Sequence, residues 1–428
     1  MRFLGSVRRL CTLLVIGLAA CQAPPAPGPA PATAEPTPTL RTLPTRAPTF
    51  TAGAFDLQPT HKPDPTATII PSEFFNADPS YGPGGFALDI DPLTGLRIEP
   101  LAKLERRPMV IKITNFPRDV RPQWGLNAAD HVYEYYLEDE LTRFVGVFYG
   151  NDAERVGPIR SGRPFDEQLI RAYKGILAFA YADDRLIDFW SGSDIEPFLI
   201  FEGKNNCPPM CRIGSENSYN TLFTDTAQLS EYAARRGIDQ ARQDLGGLRF
   251  EANSKILESG APALRLEIRF SPESYHYWEY FPGLRRYLRW QDVERRARDA
   301  EAFAPLFDSL TDEQVFADNL IVLRLPAVYF YKSKSTEVYD FKFSGEGSAY
   351  ALREGRIFEI KWRRAAPDSM VSLSFLNGAP YPLKPGNAWF EVITDVSPQQ
   401  TQDLTWRFEF KLPEFMPVPT ATPKKRSP

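Results

Sequence analysis

Proline decides what most of the first eighty residues can become. Fourteen of the 40 prolines fall between Gln22 and Ser80. Each fixes φ and removes an amide donor, so neither helix nor sheet propagates through them. Ala and Thr fill the gaps, and such a segment favours extended polyproline II. At about 3.1 Å per residue it reaches on the order of 150 Å, a stalk beneath a folded head. A second proline-rich stretch, Pro413 to Pro428, ends in Lys424-Lys425-Arg426 and reads as a disordered tail. Once leader and tails are set aside, roughly 330 residues remain, enough for two domains or one large one.

Ahead of the stalk, Arg2, Arg8 and Arg9 precede an apolar run from Leu10 to Ala20, closed by Leu18-Ala19-Ala20-Cys21. A basic start, a short apolar stretch and small residues make a secretory signal. The run is too short for a bilayer, which needs about 20 apolar residues. The cysteine makes it resemble a bacterial lipobox, in which Cys21 is lipidated and becomes the first mature residue. The alternative is an ordinary signal followed by an accidental cysteine. Two or more palmitate-like chains anchor stably, each buried methylene contributing about 0.8 kcal/mol. The expected place is the cell membrane, lipid-anchored and facing away from the cytoplasm. Loss of the leader leaves 47 basic against 54 acidic residues, a formal −7. That balance excludes nucleic acid and a basic membrane-binding surface.

Only Cys207 and Cys211 then remain, in Cys-Pro-Pro-Met-Cys. In an oxidising compartment a close pair forms a local disulfide. A redox pair and a metal site with Met210 as a soft ligand are the alternatives. The mature histidines, His61, His131 and His276, all lie far away in sequence, so no metal or cofactor is expected.

The expected organisation is a signal peptide (1–20), a linker (21–84), an N-terminal α/β part (85–250), a C-terminal β-rich part (251–412) and the tail (413–428). Ordered structure is expected from near Asp89. Met109–Thr114, Val132–Leu137, Phe144–Tyr149 and Ile176–Ala182 read as strands. Between the last two, Ser161 is placed to cap a helix and Pro164 suits its first turn. A second helix opens at Thr224 or Asp225 and closes at Gly237. Later come six strand-like runs from Asn319 to Ile393, with Asn377-Gly378 as a hairpin turn. Gln291–Phe303 reads as a charged helical insertion before them. The fold class is therefore α+β: a layered sandwich of mixed and antiparallel sheets, helices packed on one side, ending in an antiparallel meander.

Several segments together resemble the YerB-like bacterial lipoproteins. They include Pro92-Leu93-Thr94-Gly95-Leu96, Arg107-Pro108, Arg121-Pro122-Gln123, Ala129-Asp130, Thr142-Arg143-Phe144 and Arg155 through Ser161. Gly345, Gly347, Gly355, Trp362 and Pro385-Gly386 continue the match. The resemblance covers nearly all of residues 90–395. It implies a two-part layered α+β architecture and brings no established reaction. It also implies a His-Asn pair before the second helix, where this chain has Tyr219-Asn220.

Three chemistries compete. Arg160, Ser161 and Arg163 beside a helix start, with Arg143, Glu134 and Asp166 near them, suit a carboxylate or phosphate. The competing and favoured reading has the arginines pairing with Glu134, Glu138 or Asp166 to hold the loop. A glycan hydrolase needs two carboxyls about 5–9.5 Å apart, and Glu134, Glu138, Asp139, Glu140, Asp183 and Asp184 supply acids that are ordinarily solvated. Tyr275, Tyr277, Trp278 and Tyr280 offer a sugar platform, although alternating aromatics usually form sheet core. Ser161 lacks a nucleophile elbow. The reading that follows is a binding module for a cell-wall component, small ligand or envelope protein. The alternative is an envelope hydrolase using paired carboxylates.

Overall fold

The computed structural model describes residues 80–203, 206–214 and 219–418, giving only backbone at 256 and 257. All of them belong to one compact unit. The leader, Cys21, the stalk to residue 79 and the tail from 419 lie outside the described residues. Order begins by Ser80–Tyr81, a short strand paired with Arg249–Glu251.

The principal strands, in chain order, are β1 (Met109–Thr114), β2 (His131–Tyr136), β3 (Thr142–Phe148), β4 (Ile176–Phe179) and β5 (Leu199–Phe201). There follow β6 (Arg265–Arg269), β7 (Tyr275–Phe281) and β8 (Arg286–Asp292). The last are β9 (Asn319–Leu325), β10 (Gly345–Arg353), β11 (Arg356–Arg364), β12 (Ala388–Thr394) and β13 (Thr405–Glu409). Three α-helices are described: α1 (Pro164–Tyr173), α2 (Asp184–Trp190) and α3 (Thr226–Arg235).

An 11-stranded sheet runs through the molecule in the order β11-β10-β9-β12-β2-β3-β1-β4-β5, with Ala261–Pro262 and Ser372–Phe375 both pairing with β11. Strands β1 and β12 are buried on both faces, as their largely apolar sequences, each broken by one charged residue, require of central strands. β12 lies between β9 and β2, parallel to both. The sequence regions on either side of residue 250 therefore share one sheet. A 7-stranded sheet containing β8-β7-β6-β13 covers one face of it. Between them pack Trp278, Leu266 and Tyr287 from one side, and Phe144, Val322 and Trp389 from the other.

Mixed and antiparallel sheets are as expected; the helix placement is not. α1 lays Phe165, Leu169 and Tyr173 against Tyr133 and Tyr135, and α2 adds Trp190 to the same core. α3 instead buries Leu229 and Ala233 with Ile111 and Ile113 on the opposite face. The chain before it is drawn there because Val156 N–H donates to Thr224 O at 2.8 Å. Nor is the C-terminal region a plain meander. β12 pairs in parallel with β9, and β13 in parallel with β6. The expected charged helix at 291–303 is reduced to a 3-10 turn at Arg298–Ala300. With no apolar stripe to bury, that segment lacks the packing that stabilises short helices. Cys207 and Cys211 are joined in a disulfide with Cα atoms 4.8 Å apart.

Candidate functional site

After β3, residues 155–163 cross back over the ends of β1 and β4. Arg160 N–H donates to Lys112 O at 3.1 Å, Ala180 N–H to Arg160 O at 3.0 Å, and Gly162 N–H to Tyr181 O at 2.7 Å. This lacing sets Arg160 and Arg163 beside Arg143, which stands opposite Tyr135 in the β2–β3 register. The three arginines then part ways. Arg163 pairs with Glu138, its Nε 3.1 Å from Oε2. Burial opposes the Arg163 charge, but Glu138 outweighs it and raises the pKa above the usual value. Among the described residues Arg143 donates only to the Ser161 carbonyl, at 3.0 Å. Arg160 leaves its buried Nε without a partner, and its guanidinium lies 5.9 Å from the Tyr219 ring centroid.

Among the described residues no ion pair holds Arg143 or Arg160. Burial, then the nearby charges of Arg163 and Arg160, push Arg143 down to about 9. Burial and then Arg163 likewise lower Arg160. Glu138 offsets only part of the Arg143 shift, and cations that depress one another in this way are the arrangement a further anion relieves.

Ser161 and Asp166 take other roles than expected. The helix cap is Arg163, and Asp166 Oδ2 accepts the Arg163 N–H at 2.7 Å. The N-cap position falls on Arg163, two residues past Ser161, so Ser161 is not the cap of α1. Asp166 is fully buried, its Oδ1 taking Lys112 Nζ at 3.0 Å and the Tyr135 hydroxyl at 2.5 Å. It cannot touch a ligand. Burial lowers Lys112 to about 7, against the pull of Asp166.

Glu134 is the clearest departure. Alternation on β2 turns it away from Tyr135 and into the core between the sheets, where it is fully buried. It stands directly beside Glu391 in the β2–β12 register. Arg289 from the covering sheet reaches both, at 2.5 Å to Glu134 and 3.4 Å to Glu391. His276 Nε2 lies 2.8 Å from Glu391 Oε1, and Trp278 Nε1 donates to the same oxygen at 2.9 Å. Burial is the main cause that raises Glu391 to about 7 and lowers His276 to about 3. Ligand atoms of Glu134, His276 and Glu391 lie within 4.8 Å of one another, close enough for a metal. The Arg289 guanidinium bonded to both carboxylates already supplies the positive charge there, so the residues do not fit a cation. The signal for this cluster was an acid inside the apolar run Ala388–Thr394, and sequence reading passed over it.

The other named acids and aromatics are dispersed. Asp183 caps α2 through Arg185 N–H, and Asp184 accepts the Tyr181 hydroxyl at 3.1 Å. Glu140 pairs with Arg295. The proposed platform divides: Tyr275 and Trp278 are buried, while Tyr277 stacks on Trp290 at 5.0 Å and carries Arg265 at 3.5 Å on its ring.

Residues 93–239 match the family model described as the N-terminal domain of a protein of unknown function (DUF3048), and residues 266–390 match its C-terminal domain. The protein YerB of Bacillus subtilis (strain 168), which carries a lipoprotein name, is 23% identical over 313 residues, 71% of this chain and 86% of its own. The crystal structure of Bacillus subtilis YerB superposes with a TM-score of 0.59 at 21% identity, covering 72% of this chain and 97% of that one. At that identity the superposition speaks for the fold. Arg143, Arg160 and Arg163 all fall inside the first matched region.

Proposed function

Since this chain belongs to the DUF3048 family, both of whose domains it carries in order, we propose that it is a lipid-anchored extracytoplasmic binding module. Its folded head holds an anionic group of a cell-envelope component on Arg143 and Arg160. The observation that carries this reading is two neighbouring arginines with no ion-pair partner among the described residues. A guanidinium in a partly buried site gains most from a carboxylate or phosphate, which it grips through two parallel N–H bonds. The acyl chains of Cys21 hold the module at the membrane, and the proline-rich stalk sets its reach. The lipoprotein name of the Bacillus relative supports that placement. Regions 85–250 and 251–412 act together as one head.

Phosphate binding to the folded state stabilises it by mass action. Thermal unfolding in sodium phosphate, against sodium chloride of equal ionic strength, tests the seat. The expected result is a higher midpoint in phosphate, lost in Arg143→Gln/Arg160→Gln. An unchanged phosphate effect in that variant contradicts the seat, as does no effect in the parent chain. Anchoring is tested separately: Cys21→Ser should move the protein from the membrane fraction to the soluble one.

A further inference from the structure

Beside the arginines the surface turns aromatic. Tyr181, Phe201 and Tyr219 are 48%, 40% and 77% exposed. Large aromatics seldom stand so open without a partner to cover them. Their link to the arginines is through the backbone. Arg160 O accepts the Ala180 N–H and Tyr181 O accepts the Gly162 N–H, so Arg160 and Tyr181 lie on adjacent chains. Tyr219 lies under the Arg160 guanidinium. Phe201 sits on β5, its ring 6.3 Å from that of Tyr181. The Tyr181 hydroxyl is tied to Asp184, which fixes one ring in place before any ligand arrives.

Resting on the anion seat proposed above, we infer that its ligand is an acidic saccharide. The charged group lies on Arg143 and Arg160, and the sugar ring packs its C–H face against Tyr181 or Tyr219. The ring geometry chooses a sugar over a nucleobase. Tyr181 and Phe201 meet at 73°, so they form no parallel slot to sandwich a flat base. A base held between two parallel rings would gain stacking on both faces, and that arrangement is missing here. A puckered sugar needs one ring face and polar groups at its rim, and Arg160 stands at that rim. Whether the charge is a carboxylate or a phosphate, the same guanidinium fork receives it.

Calorimetric titration of the full chain separates the two claims. The probes are inorganic phosphate, glucose 6-phosphate, acetate, glucuronate and glucose. An aromatic contact worth about 1 kcal/mol gives on the order of fivefold to tenfold in affinity. Glucose 6-phosphate should therefore bind on the order of tenfold tighter than phosphate, or glucuronate tighter than acetate by a similar factor, with no saturation by glucose. Whichever sugar acid leads identifies the charged group. In Tyr181→Ala/Tyr219→Ala that preference should fall to about twofold; both side chains are exposed, so folding survives. Equal affinity for the free anion and its sugar form overturns the saccharide assignment and leaves the anion seat standing. A preference that persists in the double variant also overturns it. No binding of any anion removes the seat itself, and the saccharide with it.

Discussion

Arg163 and Arg143 lie in one cluster, yet among the described residues only Arg163 forms an ion pair with a carboxylate. Sequence reading weighed loop-holding against ligand-holding for the group as a whole. The structure divides the roles by residue, because Glu138 ion-pairs with Arg163 while, among the described residues, no acid ion-pairs with Arg143 or Arg160. Proximity of that kind is set by how the 155–163 segment laces across β1 and β4, which no spacing in sequence reveals. Glu134 was misassigned for a simpler reason. A one-residue step along a strand reverses the face, and the strand's register could not be read with enough precision. Its new setting carries a pH dependence. Glu391 holds its proton up to about pH 7, mainly through burial, while an unfolded glutamate releases it near 4.5. A carboxyl raised in this way adds stability below its unfolded pKa and loses it as pH rises through the folded one. His276, lowered to about 3, acts in the opposite sense below pH 6.5, so the wild-type curve alone mixes the two. The difference between wild type and Glu391→Gln isolates the carboxyl. Measured by urea unfolding, the wild type's relative stability should fall on the order of 3 kcal/mol between pH 4.5 and 7. A difference that is flat with pH contradicts the assignment.

Strands and helices with strong local signals were the most legible. β1, α1 and α3 lie where apolar runs, Pro164 and Asp225 placed them. α2 was missed: at seven residues, Asp184–Trp190 has too few turns to show a period. The segments that carried the family resemblance prove to be joints of the fold. Asp130 is buried and accepts the backbone N–H groups of Tyr149 and Gly150. Gly95, in the Pro92–Leu96 segment, sits at φ +66°, where a Cβ would lie 2.4 Å from the Phe250 ring. That residue joins two regions far apart in sequence through a contact only glycine permits. Gly95→Ala should therefore cost more than about 2 kcal/mol, adding positive-φ strain to steric overlap. Chemical denaturation checks it, and a loss under half a kcal/mol would show that the turn relaxes freely.

At the scale of the molecule, the two family regions are consecutive in sequence and interleaved in space. β12 lies between β9 and β2, a parallel insertion that local hairpin signals cannot foretell. Residues 85–250 alone would leave the β12-facing edge of β2 unpaired and the inner faces of Val132 and Phe144 without their partners. Expressed by itself, that segment should lack cooperative unfolding; a sharp two-state transition would show that it folds unaided. The same interleaving pins the sheet beneath Arg143 and Arg160 from both regions. The most direct test of the whole account is a crystal structure of the protein grown in phosphate. The expected result is an anion held by the Arg143 and Arg160 guanidinium groups, with Arg163 still on Glu138. An empty seat at saturating phosphate, with Arg143 and Arg160 turned onto carboxylates of their own chain, would contradict it.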